Sequence, residues 1–283
     1  MTPLIDSDDY AASGIETMFF PGVEPHVKVP TFTGTVLAHL KIRTWSDCGF
    51  AALLLEALSW QRGVDVYAFV PYFPGARQDR SDGHSAMTLA IMGTLLDAHK
   101  GISVFDPHSD VALAYVNIRH VFMPDDLALA TREDVVGIIA PDAGAVDRAE
   151  RFRDFFYPGV ALVECAKRRD SASGRLSGYA MPALPMRGRY IVVDDICDGG
   201  GTFNLLAQQF KADVKGAASK LELFVSHGIF SKGLDAIDPV YERITTTDSW
   251  CRLPDSERLT VLPLAGLLSR LTEKSNLREN ASV

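Results

Sequence analysis

Residues 190–210 read "YIVVDDICDGGGTFNLLAQQF". An apolar run ends in two adjacent aspartates, a third follows three residues later, and three glycines and a threonine lead into a helix-like pattern. "YIVVDD" has the Val/Ile content of a buried strand, "ICDGGGT" reads as a loop, and "FNLLAQQF" as the helix after it. Glycines permit positive φ and close backbone approach, so N–H groups at a helix start can converge on an anion there. Thr202 adds a hydroxyl donor, and Asp194 and Asp195 can accept hydrogen bonds from vicinal sugar hydroxyls. A Gly-Gly-Gly-Thr run alone would read as a turn with Asp195 or Asp198 as its cap. Two carboxylates directly before it favour a phosphate cradle beside a sugar site. The G-x-x-x-x-G-K-[ST] spacing is absent, which excludes a Walker loop, and a dinucleotide fingerprint is excluded on similar grounds.

Outward from this stretch, β-rich runs alternate with helical patterns. The strand candidates are "HVKVP", "TVLAHLKI", "VDVYAFVPY", "GISVFDP", "VVGIIAPD", "VALVEC", "RYIVVDD", "LELFVSHG" and "RITTTDS". Helix patterns fall at "FAALLLEALSWQR", "HSAMTLAIMGTLLDAHK", "GAVDRAERFRDFF" and "GTFNLLAQQFKA". Strand and helix in turn imply an α/β fold of mainly parallel sheets flanked by helices. Ligands in such sheets bind at the carboxyl ends of strands, which here are unusually polar. The division into two domains is expected near "VFMPDDLALA", giving residues 1–125 and 126–283, with the last helix packing back on the first domain.

Composition narrows the function classes. With 283 residues, 47% apolar, the chain can build a substantial core. A net charge of -8 argues against nucleic acid as a partner. The acidic start "MTPLIDSDDY" lacks the basic and apolar regions of a secretory signal, and apolar runs such as "FAALLLEAL" are too short for a membrane span. A soluble cytoplasmic protein is expected. The four cysteines, Cys48, Cys165, Cys197 and Cys251, show no C-x-x-C spacing and read as buried thiols.

The opening stretch resembles the ribose 5-phosphate loop of the type I phosphoribosyltransferase fold, V-V-[DE]-D-x-x-[DST]-x-G-x-T. Residues 70–80, "VPYFPGARQDR", resemble the P-Y-x-x-x-A-R-Q-D-R motif of ribose-phosphate pyrophosphokinases, which the transferases lack. The resemblance implies two phosphoribosyltransferase-like domains. It implies ATP contacts at Arg77, Gln78 and Asp79, and a pentose-phosphate site at Asp194, Asp195, Asp198, Gly199, Gly200, Gly201 and Thr202. Guanidinium groups suit polyphosphate oxygens.

Further matches follow in the family's order. "FFPGVEPHVKV" is similar to the adenine loop, implying ring stacking by Phe20 and an adenine or ribose contact at Glu24; Gly22 stands where the family has aspartate. "VFDPHSD" resembles V-x-D-x-H, implying His108 and Asp106 at Mg²⁺ and the ATP phosphates. "IIAPDAGAVDRA" implies Asp142 as a carboxylate near a second Mg²⁺, with Gly144 allowing close approach. "ECAKRRDSASGRLSGY" resembles the flexible catalytic loop, making Lys167 and Arg169, with His108, the implied catalytic cations and Arg168 their neighbour.

The departures are "DPHSD" for D-L-H-A, "DGGGT" for D-T-A-G-T and "SHGIFSKG" for T-H-x-x-x-S-x-x-A. They resemble a divergent branch of the kind met in phages and some bacteria. The implied reaction moves the diphosphoryl group of Mg-ATP to ribose 5-phosphate, in a homo-oligomer, dimer or hexamer. The altered pentose loop also suits a larger acceptor such as ADP-ribose. A phosphoribosyltransferase leaves "VPYFPGARQDR" unexplained, and a non-catalytic regulatory paralogue leaves the retained His108, Asp142, Lys167 and Arg169 unexplained.

Overall fold

The computed structural model describes residues 2–81, 83–96, 101–169, 176–250, 253 and 256–271. Two compact units form, one from residues 1–123 with the segment that begins at Pro263, the other from Pro124–Leu262.

The first unit contains β1 (Leu4–Asp6), β2 (Glu16–Phe19), β3 (Pro25–Lys28), β4 (Gly34–His39), α1 (Trp45–Ser59), β5 (Val64–Val70), α2 (Thr88–Leu96), β6 (Ile102–Phe105), α3 (Val111–Tyr115) and β7 (Ile118–Phe122). Its sheet runs β1-β4-β5-β6-β7, parallel throughout. The core comes from the apolar runs of these strands and the inner face of α1, including Val36, Leu54, Val70 and Val104. α1 begins earlier than its apolar pattern because Thr44 and Asp47 form a reciprocal capping box, with Thr44 Oγ1 accepting from Asp47 N at 3.1 Å and Asp47 Oδ2 from Thr44 N at 2.9 Å. Two sequence expectations change here. "HVKVP" pairs antiparallel with β2 instead of joining the parallel sheet, since the short link between them is far below the length of a crossover. Helix α2 starts at Thr88, because the chain bends at residues 83–85, where the Ser85 carbonyl accepts from Ser81 Oγ at 2.8 Å.

The second unit contains β8 (Val135–Ala140), α4 (Val146–Phe156), β9 (Ala161–Glu164), β10 (Ala166–Arg169), β11 (Leu176–Ala180), β12 (Arg189–Cys197), α5 (Gly201–Ala212), β13 (Lys220–Gly228), β14 (Tyr241–Thr247) and β15 (Leu259–Leu262). The six-stranded parallel sheet has the order β15-β14-β13-β12-β8-β9. From β8 the chain passes to β9 on one side, then returns to β12 on the other. That reversal is a topological switch point, where crossovers diverge and leave a crevice at the carboxyl ends. The core includes Ile139, Val192, Leu206, Phe210, Leu223 and Ile244. At the opposite edge, buried Arg189 binds Asp134 at 3.0 Å and Glu222 at 2.6 Å, so the amino ends are closed by ion pairs.

Candidate functional site

In the second unit β12 is nine residues long but pairs with β8 only as far as Val192, so its end projects past its neighbour into the switch-point crevice. Asp194 and Asp195 lie on that projecting end. Asp195 is 4% exposed, and its N–H donates to Asp194 Oδ1 at 2.9 Å. Burial first, then the charge of Asp195, pushes the Asp194 carboxyl well above the usual range, while the positive charge of Arg148 opposes the rise. Arg148 was absent from the sequence-derived site residues, although it lies inside the "IIAPDAGAVDRA" stretch.

After β12 the chain turns sharply into α5. Gly200 is the N-cap at φ +74°, without a side-chain cap, and the first helical bond closes from Asn204 N to Gly200 O at 2.9 Å. The preceding N–H groups of the first turn therefore have no intrahelical acceptor. Gly200 is required by packing as well, since a Cβ there would come within 2.3 Å of Ile237 Cδ1. The β13–β14 connection is tied to the loop from its other side: Asn204 Nδ2 donates to Ala236 O at 2.7 Å, and its Oδ1 accepts from Asp238 N at 2.9 Å. Phe230 and Ile229 N–H groups both donate to the Cys197 carbonyl.

Asp142 follows β8 at the same switch point. It caps a short turn, its Oδ1 accepting from Gly144 N at 2.9 Å, and a Cβ on Gly144 would sit 3.2 Å from that oxygen. The basic segment enters as β10, antiparallel to β11, with Lys167 opposite Tyr179 and a register shift between Arg168 and Arg169. The Tyr179 hydroxyl donates to the Pro141 carbonyl, which anchors this arm next to Asp142. The side chains of Lys167, Arg168 and Arg169, and residues 170–175 of the expected catalytic loop, lie outside the described residues.

In the first unit β5 and β6 are parallel neighbours, Val70 opposite Val104, so the segments after them leave the sheet at the same end. Tyr72, Phe73 and Ala76 are buried and anchor the first segment. Gly75 turns it at φ +75°, where a Cβ would meet Leu89 N at 2.8 Å. Arg77 and Gln78 are exposed, and Gln78 Oε1 accepts from the Thr88 hydroxyl. Asp79 Oδ2 accepts from Ser109 Oγ at 2.6 Å, which joins the "ARQDR" loop to the Asp106–His108 segment. Ser109 is a second residue that sequence reasoning missed. Asp106 is buried at φ +38°, a conformation Asp tolerates, its N–H donating to Phe122 O at 2.8 Å; His108 is exposed.

Phe20 and Glu24 lie in the β2–β3 connection, where Phe20 N donates to Glu24 O at 2.9 Å and Val23 N to Phe20 O at 2.8 Å. Phe20 is 46% exposed, with the His26 ring tilted against it 5.4 Å away. Among the described residues, no hydrogen bond, ion pair or ring contact joins Phe20 or Glu24 to the 71–80 or 106–110 segments.

Among the described residues, no three His, Cys, Asp or Glu side chains stand close enough to hold a metal ion by themselves. Single strand-end carboxylates such as Asp106 and Asp142 fit magnesium, which keeps water and substrate phosphates as most of its ligands. Cys48, Cys165 and Cys197 are buried, and burial pushes the Cys165 thiol up to about 11 and that of Cys197 up to about 12, so neither is a nucleophile at neutral pH. Cys251 lies outside the described residues. Among those residues no helix is long and apolar enough to cross a membrane.

No family model matches the chain. It is 26% identical to the ribose-phosphate pyrophosphokinase of Sulfurisphaera tokodaii over 278 residues, which cover 90% of each chain. It is 29% identical to that of Maricaulis maris over 76% of this chain and 73% of the relative. The chain is thus similar to ribose-phosphate pyrophosphokinases over most of its length. The crystal structure of phosphoribosylpyrophosphate synthetase from Mycobacterium smegmatis matches with a TM-score of 0.67 over 98% of this chain and 100% of that one, at 18% identity, a likeness of fold. The shared span includes both parallel sheets.

Proposed function

We propose that the protein is a cytoplasmic ribose-phosphate diphosphokinase, which transfers the β,γ-diphosphoryl group of Mg-ATP to the anomeric hydroxyl of ribose 5-phosphate. The observation that carries this reading is the pairing of "VPYFPGARQDR" and "VVDDICDGGGT" in one chain, each at the carboxyl end of a parallel sheet. A phosphoribosyltransferase would need only the second.

In this reading Phe20, Glu24, Arg77 and Gln78 bind the nucleotide, while Asp79, through Ser109, holds the Arg-Gln loop in position. Asp194 and Asp195 accept from the pentose hydroxyls and orient the anomeric oxygen. The N–H groups of Gly199–Thr202 and the Thr202 hydroxyl hold the 5-phosphate. The anomeric oxygen attacks the β-phosphorus, the bond from that phosphorus to the AMP oxygen breaks, AMP leaves with the electron pair, and the hydroxyl proton passes to solvent. Both substrates are anions, so positioning and positive charge dominate the barrier. Lys167, Arg169 and His108 supply that charge from the protein. Magnesium, when bound, would neutralise phosphate charge; Asp106 and His108 would hold one ion and Asp142 a second.

A second acceptor is favoured by one observation. "DGGGT" lacks the threonine and alanine side chains of D-T-A-G-T at Gly199 and Gly200, and that smaller loop motivates the larger acceptor ADP-ribose. We also propose that the protein works as a homo-oligomer.

The test is incubation of purified protein with Mg-ATP and either acceptor, with AMP and the pyrophosphorylated product identified by mass. Phosphoribosyl pyrophosphate is the expected product; product from ADP-ribose alone would select the second reading, and no AMP from either would remove both. Lys167→Ala is expected to lower kcat by ~10²-fold or more, as loss of a transition-state donor does. Near-normal turnover would take Lys167 out of the catalytic role.

A further inference from the structure

The pentose-phosphate loop poses an electrostatic difficulty. Three aspartates, Asp194, Asp195 and Asp198, crowd the place where a dianionic phosphate is to sit, and the stretch from Tyr190 to Phe210 contains no basic residue. Backbone N–H groups can orient such a phosphate, and Arg148 offsets part of the carboxylate charge, but a dianion there calls for a further cation.

The β13–β14 connection brings a cation to this place. A Cβ built on Gly199 would lie 3.3 Å from Lys232 Cε, 3.5 Å from its Cδ and 3.8 Å from its Nζ. The lysine stem thus lies over the bare face of the glycine, and the ammonium group is carried to the loop's edge. The side chain is exposed and makes no hydrogen bond or ion pair with a described residue. An exposed lysine usually projects into solvent to gain rotamer freedom. This one instead lies so close to Gly199 that a side chain there would have to displace its stem. The connection that carries it is held in place by the packing of Ile237 on Gly200 and by the two Asn204 hydrogen bonds.

We infer that Lys232 is the cation that recognises the acceptor's phosphate, a specificity-determining residue whose seat is the missing side chain of Gly199. The inference rests on the pentose-phosphate reading of this loop and deepens it. A lysine ammonium is a compact point charge suited to a terminal phosphate, whose dianion concentrates charge on three oxygens. Threonine, which the family pattern places at position 199, and the Lys232 stem would compete for one space.

The experiment measures AMP release by the full chain with Mg-ATP and ribose 5-phosphate, and in parallel the binding of ribose 5-phosphate by calorimetry. Lys232→Ala is expected to raise KM and Kd for ribose 5-phosphate by about 10- to 100-fold, the loss of one charge-assisted hydrogen bond, with KM for Mg-ATP unchanged. Lys232→Arg should restore most of the affinity. Gly199→Thr should weaken ribose 5-phosphate binding in the wild type but much less in the Lys232→Ala background, because contacting residues couple in a double-mutant cycle. An active wild type whose KM for ribose 5-phosphate is unmoved by Lys232→Ala, or additive effects in the cycle, would overturn the role of Lys232 alone. A wild type that neither binds ribose 5-phosphate nor releases AMP with it would overturn the pentose-phosphate reading and this inference together.

Discussion

Asp194 shows how much a single side chain at this site costs the fold. Its carboxyl would ordinarily lose its proton near 3.8, but burial and the charge of Asp195 hold the proton on to higher pH. Between those two points the native state binds a proton that the unfolded chain has released, so stability falls as pH rises through that window. Asp194→Asn is therefore expected to raise the urea midpoint of the second unit at pH 7, with the gain shrinking towards pH 4. A variant whose midpoint tracked the wild type at every pH would show that Asp194 ionises freely. The two aspartates were legible in "YIVVDD" as residues; their conflict was not, because it depends on burial and on Arg148, which arrives from another helix. Asp79 makes the same point, since its partner Ser109 is distant in sequence.

At the level of elements, the turn between β12 and α5 is built jointly with the β13–β14 connection. Gly200 needs φ +74° and space that Ile237 already fills to within 2.3 Å of a would-be Cβ. Gly200→Ala is expected to destabilise the second unit by about 1–3 kcal/mol through overpacking and to weaken ribose 5-phosphate binding. Ile237→Ala in that background should recover part of the packing loss but none of the strain of a left-handed alanine. Denaturant midpoints of the single and double variants check this; equal losses would show that Ile237 does not press on the loop. The strong strands and four main helices were readable because their apolar runs and periods are local. β1, β2, β7, β10, β11 and β15 were not read. They are short or half-buried, and a strand of that kind is defined by its partner more than by its own pattern.

At the scale of the whole molecule, the β2–β3 hairpin exposes apolar surface: Met18 is 41%, Phe19 53% and Val23 79% exposed. Grouped exposed apolar residues on one hairpin mark an interaction surface. Sedimentation equilibrium of the wild type is expected to give at least twice the monomer mass, and Met18→Asp with Val23→Asp should lower it. A wild type that sediments as a monomer at micromolar concentration would remove the homo-oligomer from the proposal.

The sequence by itself determined that strands alternate with helices, that aspartates and then glycines follow one apolar strand run, and that two stretches resembling motifs of one enzyme family stand in order. Those are properties of neighbouring residues, set by φ/ψ preference, periodicity and residue chemistry. Only the tertiary structure decided that β8 and β12 meet at a reversal of strand order, so that Asp142 and Asp194 belong to one crevice. It also decided that Arg148 acts on Asp194, that Ser109 clamps Asp79, and that Lys232 lies on Gly199. Strand order and cross-loop contact follow from which apolar faces bury one another over the whole unit, and local pattern does not encode that choice.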